Sequence, residues 1–270
     1  MNIGFVDYYI SEWHANNYPN WIKEASDEFC VKYAWAEEYV SPVDGVNTDE
    51  WCEKYGVERC DTIAELCEKS DFIIVLSPSN PEKHLEYAAQ VLKYGKNTYI
   101  DKTFAPNISE ALEIFKLAEK YGTKFFSTSA LRYADELDAV SGKCNLITTG
   151  SGGNVDEYVI HQIEMAVKTI KSEPLSVRVD IQGCQKIWTV KFGDESRWTG
   201  IYTPNGPFAV YGDRAYRSIS SNYFAKLIAD ILRFFKTGEV SFDINETLKV
   251  MRLRDAILKA CTCSGDWINV

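Results

Sequence analysis

A chain of 270 residues with 46% apolar side chains can bury one large core or two modest ones. Its 39 acidic residues outnumber 29 basic ones, and the net charge of −10 repels phosphate backbones, which argues against a nucleic-acid partner. No apolar run approaches the roughly 18 residues of a membrane span, and "MNIGFVDYYISEW" lacks a basic start and an apolar signal core. The expected location is therefore the cytoplasm, with no membrane partner.

In chain order, "NIGFV" (2–6) reads as a strand, a helical stretch follows to about Glu28, and "CVKYAW" (30–35) reads as a second strand. Thr62 and Glu65 form a capping box for a short helix. "DFIIVL" (71–76) is the continuous apolar run of a strand buried on both faces. Asn80 and Pro81 suit the N-cap and first position of a helix that Gly95 ends. "NTYI" (97–100) is the next strand, Asn107 and Glu110 cap a helix that Gly122 closes, and "KFFST" (124–128) is one more strand. This strand–helix rhythm predicts an α/β fold with a doubly wound parallel sheet, in which ligands sit outside the carboxyl ends of the strands. Lys102 falls two residues past such an end and is expected in the ligand crevice.

The rhythm then changes. "GSGGNV" (150–155) is a glycine-rich junction, and "DEYVIHQIEMAVKTIK" (156–171) is helical. The runs "LSVRVDIQG", "QKIWTVKFG", "RWTGIYT" and "PFAVYG" predict an open, mostly antiparallel sheet, so the second domain is α+β. Two helices (221–238 and 245–261) and "DWINV" complete the chain. Trp188, Trp198 and Tyr202 suit either an exposed sheet face or a core beneath the helices. The predicted domains are 1–128 and 129–270, with the C-terminal helix free to pack back on the first.

Chemistry-bearing residues are few. Cys30, Cys52, Cys60, Cys67, Cys144, Cys184, Cys261 and Cys263 include no Cys-x-x-Cys, which favours reduced thiols and no metal. Glu157, His161, Glu164 and Lys168 are spaced by four, three and four, one stripe on a helix. A histidine among carboxylates has the traits of a general acid/base, whereas a solvated face with a Glu164–Lys168 pair explains the same spacing. His14 and His84 complete the histidines.

The segment "SDFIIVLSPSNPEKHLEYAAQVLKYGKNTYIDKTFAPNISEALEIFKLAEKYG", with "TSALRY" (128–133) and "GGNVDEYVIHQIE", resembles the Gfo/Idh/MocA oxidoreductases of the glucose–fructose oxidoreductase and inositol dehydrogenase type. The resemblance implies an N-terminal Rossmann-like domain for NAD or NADP and a C-terminal domain for a small-molecule substrate, assembled as a homodimer or homotetramer. It places Lys102 on the lysine of a Glu-Lys-Pro motif that reads Asp-Lys-Thr here, and Glu157, His161 and Glu164 on the catalytic helix. Lys102 would hold the substrate hydroxyl and His161 would exchange its proton. The cofactor side would take Asp7, Tyr8 and Tyr9 from the first turn, Glu37 after the second strand, Ser77, Pro78 and His84 after the third, and Asp101.

The first turn departs from that pattern. A Gly-rich turn lets backbone approach a diphosphate at a helix N-terminus. Here the turn holds Asp7, Tyr8, Tyr9 and Glu12, with Gly4 inside the strand. Asp7 and Glu12 are expected to add negative charge at the diphosphate position. Two functions follow: an NAD(P)-dependent oxidoreductase of a polyol, sugar or related hydroxy compound, or a non-catalytic ligand-binding or regulatory relative without dinucleotide. Free backbone N–H groups at this turn would distinguish them.

Overall fold

A computed structural model describes residues 1–140, 145–212 and 215–270, so Cys144 lies outside the described residues. The chain divides into two compact units, Met1–Thr128 with Leu227–Ile244, and Ser129–Lys226 with Asn245–Val270.

The first unit runs β1 (Asn2–Tyr9), α1 (Trp13–Ala25), β2 (Cys30–Glu38), α2 (Thr48–Tyr55), β3 (Glu58–Arg59), α3 (Ile63–Lys69), β4 (Phe72–Val75), α4 (His84–Val91), β5 (Thr98–Ile100), α5 (Ile108–Tyr121) and β6 (Phe125–Phe126). The strands pair in parallel in the order β3-β2-β1-β4-β5-β6, the doubly wound arrangement of dinucleotide-binding folds. Ile73, Ile74 and Val75 are fully buried, as a central strand requires. Asn107 caps α5 through the Glu110 N–H, and Gly122 ends it at φ 65°.

Three local expectations change. The Asn80 side chain donates to Glu82 and caps nothing, so Pro81–Lys83 forms a 3-10 turn before α4. Thr62 caps α3, but Glu65 returns its bond to the Asp61 N–H, one residue before the cap. The strand β1 continues to Tyr9, three residues past the predicted end.

Gly4 fits between β1 and α3. A Cβ there would lie 2.4 Å from Ser70 Oγ and 2.5 Å from Leu66 Cδ2. Gly4→Ala is expected to destabilise the first unit by about 2 kcal/mol, as overpacking does. Thermal denaturation followed by circular dichroism should show its midpoint lowered by roughly 4–8 °C; an unchanged midpoint would mean that α3 shifts freely.

The second unit contains β7 (Asn145–Ser151), α6 (Val155–Thr169), β8 (Pro174–Gln182), β9 (Gln185–Phe192), β10 (Arg197–Thr203), β11 (Ala209–Gly212), β12 (Ala215–Ser218), α7 (Tyr223–Thr237, whose larger part counts with the first unit), α8 (Asn245–Thr262) and β13 (Trp267–Asn269). Its sheet order is β12-β11-β7-β10-β9-β8-β13, antiparallel except for the parallel β7–β10 pair. The predicted junction at 150–155 is instead the passage from β7 into α6.

Strand alternation turns Trp188, Val190 and Trp198 to one face, where they are buried with Val159, Ile163 and Ile257 of α6 and α8. Trp188, Trp198 and Tyr202 are therefore core residues. The seven described cysteines are free thiols. No helix among the described residues is long and apolar enough to cross a membrane.

Candidate functional site

The strand order reverses beside β1 and β4, and their carboxyl ends carry the first cluster. Asp7 is 1% exposed. Its Oδ1 accepts the Tyr8 N–H at 2.7 Å, the Ser77 N–H at 3.0 Å and the Ser77 hydroxyl at 3.2 Å. Ser77 holds this position at φ 60°, the left-handed region that a non-glycine residue adopts only when its surroundings fix it. Burial, reinforced by the charge of Glu12, raises the Asp7 pKa well above the carboxylate range despite these bonds. Burial thus disfavours the charged form of Asp7, which runs against the expectation that it adds negative charge at this position.

Glu12 does something the sequence pattern does not announce. Its carboxylate turns back onto α1 as the N-cap, accepting the His14 N–H at 2.7 Å and the Ala15 N–H. The N–H groups that a Rossmann turn presents to a diphosphate are therefore taken by a side chain of the same chain. His14 Nδ1 stands 3.2 Å from Glu12 Oε2 and 3.6 Å from Asp101 Oδ2. Asp101 is 1% exposed and accepts the Tyr99 hydroxyl at 3.1 Å through Oδ1. Asp7 Oδ2 and Asp101 Oδ2 are buried without a hydrogen-bond partner among the described residues.

Glu37, next to last in β2, accepts Lys83 Nζ at 2.6 Å and the Tyr87 hydroxyl at 2.7 Å. Burial would raise its pKa, but these bonds and the Lys83 charge hold it below the usual value. The end of the second strand is where a doubly wound fold places the acid that reads a ribose. The Lys83 ammonium also lies 5.2 Å from the centre of the Tyr8 ring, and Tyr8 and Tyr9 meet edge to face. Pro78 is buried beside Ser77.

His84 departs from its expected cofactor-lining role. It is fully buried, with Nδ1 3.1 Å from the Phe104 carbonyl and Nε2 against the Leu76 carbonyl. Burial lowers its pKa, and the ring lies between two loop carbonyls, to one of which its neutral form donates. Lys102 follows Asp101 past β5, is half-buried, and its ammonium has no hydrogen-bond or ion-pair partner among the described residues.

In the second unit, Asn154 caps α6 through the Glu157 N–H at 2.9 Å, leaving Glu157 half-buried in the first turn. One turn on, His161 Nδ1 is 2.6 Å from Ser129 Oγ, and Tyr158 and Phe208 set their rings edgewise to the imidazole. Glu164 is buried and accepts the Ser129 N–H at 3.3 Å and Arg132 Nε at 3.0 Å. Arg132, also buried, donates both terminal nitrogens to Glu246. Lys168 pairs with Asp138 at 2.9 Å, so the expected Glu164–Lys168 pair gives way to a Glu164–Arg132 pair.

Glu12, Ser129 and Arg132 were not singled out as a functional set by spacing. The last two sit in "TSALRY", whose signal is a polar pair inside an otherwise apolar turn.

The chain is similar to known proteins over part of its sequence and in its fold. Residues 37–129 match the Gfo/Idh/MocA family, described as an oxidoreductase family with an NAD-binding Rossmann fold. A 58-residue segment is 34% identical to the uncharacterized oxidoreductase YhhX of Escherichia coli (strain K12), covering 22% of this chain and 17% of that protein. A probable dehydrogenase from Thermotoga maritima superposes with TM-score 0.80 at 15% identity, over 100% of this chain and 98% of its own. Myo-inositol 2-dehydrogenase from Lactobacillus plantarum gives TM-score 0.81 at 12% identity, over 100% and 99%. Scyllo-inositol dehydrogenase from Lactobacillus casei, solved with NAD(H) and scyllo-inositol, gives 0.81 at 12%, over 100% and 98%. At these identities the structural likeness is one of fold.

Proposed function

We propose, from the match of residues 37–129 to the Gfo/Idh/MocA oxidoreductases and from the shared fold, that the chain oxidises or reduces a small polyol, sugar or related hydroxy compound with a nicotinamide dinucleotide. The observation that carries the proposal is Lys102, a half-buried ammonium without a hydrogen-bond or ion-pair partner among the described residues, at the carboxyl edge of the parallel sheet and inside the family-matched segment. Two features support the fit of a dinucleotide. Glu37 lies near the end of the second strand, where an acid would read a ribose, and the first N–H groups of α1 donate to an anion.

A bound nicotinamide supplies a hydride acceptor or donor. The chain's own residues handle the proton and the charge. Lys102 lowers the pKa of the substrate hydroxyl by placing a cation beside it. In the second unit, Ser129 holds the His161 ring through Nδ1, an orientation that suits the imidazole to proton exchange. Glu164 and Arg132 hold the Ser129 segment that orients this ring.

A second reading, a ligand-binding protein without dinucleotide, is favoured by one observation: Glu12 occupies the helix N–H groups. Titration calorimetry with NAD+, NADH, NADP+ and NADPH separates the two. The proposal expects micromolar binding of at least one dinucleotide. It also expects Lys102→Ala to lower kcat/KM for the polyol about 100-fold, the scale of a lost electrostatic donor. No binding at millimolar ligand would leave the second reading.

We extend the proposal to a homodimer or homotetramer. Ile147, Ile187 and Ile201 alternate onto the sheet face opposite Trp188 and Trp198, and Ile147 is 37% exposed, which suits contact with a second copy.

A further inference from the structure

We propose that Glu12 is an internal anion seated in the diphosphate position of the first unit, and that a dinucleotide binds only by displacing it. This rests on the dinucleotide reading above. The helix α1 is 13 residues long and its first free N–H groups converge on the Glu12 carboxylate, which is 6% exposed. The seat is therefore built for an anion and filled by one.

Two further observations set other acidic groups close to this anion. The Glu12 charge acts on Asp7, whose Oδ2 is buried with no hydrogen-bond partner among the described residues. His14, whose Nδ1 faces Glu12, also faces Asp101, whose Oδ2 is likewise without a hydrogen bond among the described residues. Incoming phosphate oxygens would take over the His14 and Ala15 N–H groups, and the Glu12 side chain would rotate outward. The glycines of an open Rossmann turn leave this seat vacant; here the chain supplies its own competitor, which weakens dinucleotide binding.

The test is calorimetry on the full chain with serine or glutamine at position 12. Serine is a good N-cap and keeps the helix start satisfied while vacating the seat. Glu12→Gln keeps an acceptor oxygen and removes the charge. Glu12→Ser is expected to tighten binding of ADP and of the preferred dinucleotide at least about tenfold, or 1.4 kcal/mol. Adenosine, which has no diphosphate, should bind all three proteins alike. Glu12→Gln should fall between wild type and Glu12→Ser, and it serves alone if the serine variant melts early. Wild-type binding that neither variant tightens overturns the inference and leaves the dinucleotide reading intact. An equal gain for adenosine also overturns it, because the effect then bypasses the diphosphate. No binding by any of the three proteins overturns both.

Discussion

His161→Ala should lower kcat about a thousandfold while leaving dinucleotide affinity within a factor of two or so, the range for loss of a general acid/base. The argument is geometric. The imidazole is held by the Ser129 hydroxyl at 2.6 Å on Nδ1 and flanked edgewise by Tyr158 and Phe208, so its orientation is set before substrate arrives. A ring fixed this way loses little entropy on reaching a near-attack position. Ser129→Ala should cost less, about tenfold, because the proton-exchanging nitrogen survives and only its orientation loosens. Steady-state kinetics over a panel of inositols and sugars, paired with dinucleotide titration, measures both terms. Unchanged kcat in His161→Ala would remove the histidine from the chemistry. Dinucleotide affinity lost in step with kcat would mean that the substitution disturbed folding.

Much of this arrangement is legible in the sequence because it is local. The strand β4 announces itself as an unbroken apolar run, α5 is marked by Asn107, Glu110 and Gly122, and Lys102 sits where a strand must end. The helix α2 was equally legible through its Asn47–Glu50 capping box, yet lacked the long apolar stripe that draws attention to a helix.

What the sequence conceals is long-range. The charge state of Asp7 depends on burial and on Ser77, seventy residues away along the chain. The parallel β7–β10 pair brings together strands far apart in sequence, which no local period encodes. Glu12 looks like a charge added to a turn. Only its reach to the His14 and Ala15 N–H groups in the first turn of α1 shows it to be a cap. Nor does spacing reveal that Glu164 finds Arg132 in place of Lys168, since the three share one neighbourhood only after Ser129–Tyr133 folds against α6.

Arg132→Met is expected to be the most destabilising single change in the second unit, at about 3–5 kcal/mol. Arg132 is 4% exposed and divides its guanidinium between two carboxylates: Nε to Glu164 at 3.0 Å, and both terminal nitrogens to Glu246. Glu164 is 3% exposed and also accepts the Ser129 N–H, so methionine would take the cationic partner Arg132 from a buried carboxylate, and this imbalance carries the large cost. Glu246 retains Lys171 at 3.1 Å and should suffer less. A lysine at 132 keeps the charge but not the planar fork, so Arg132→Lys should recover only part of the loss. The informative variant is Arg132→Met with Glu164→Gln and Glu246→Gln. If the damage comes from unpaired carboxylates, neutralising them should return more than half of the lost stability. Urea denaturation of the four proteins decides it. A triple variant no more stable than Arg132→Met would assign the loss to packing of the arginine stem instead. Because Glu164 also fixes Ser129, and Ser129 fixes His161, Arg132→Met should additionally lower kcat under conditions where it remains folded.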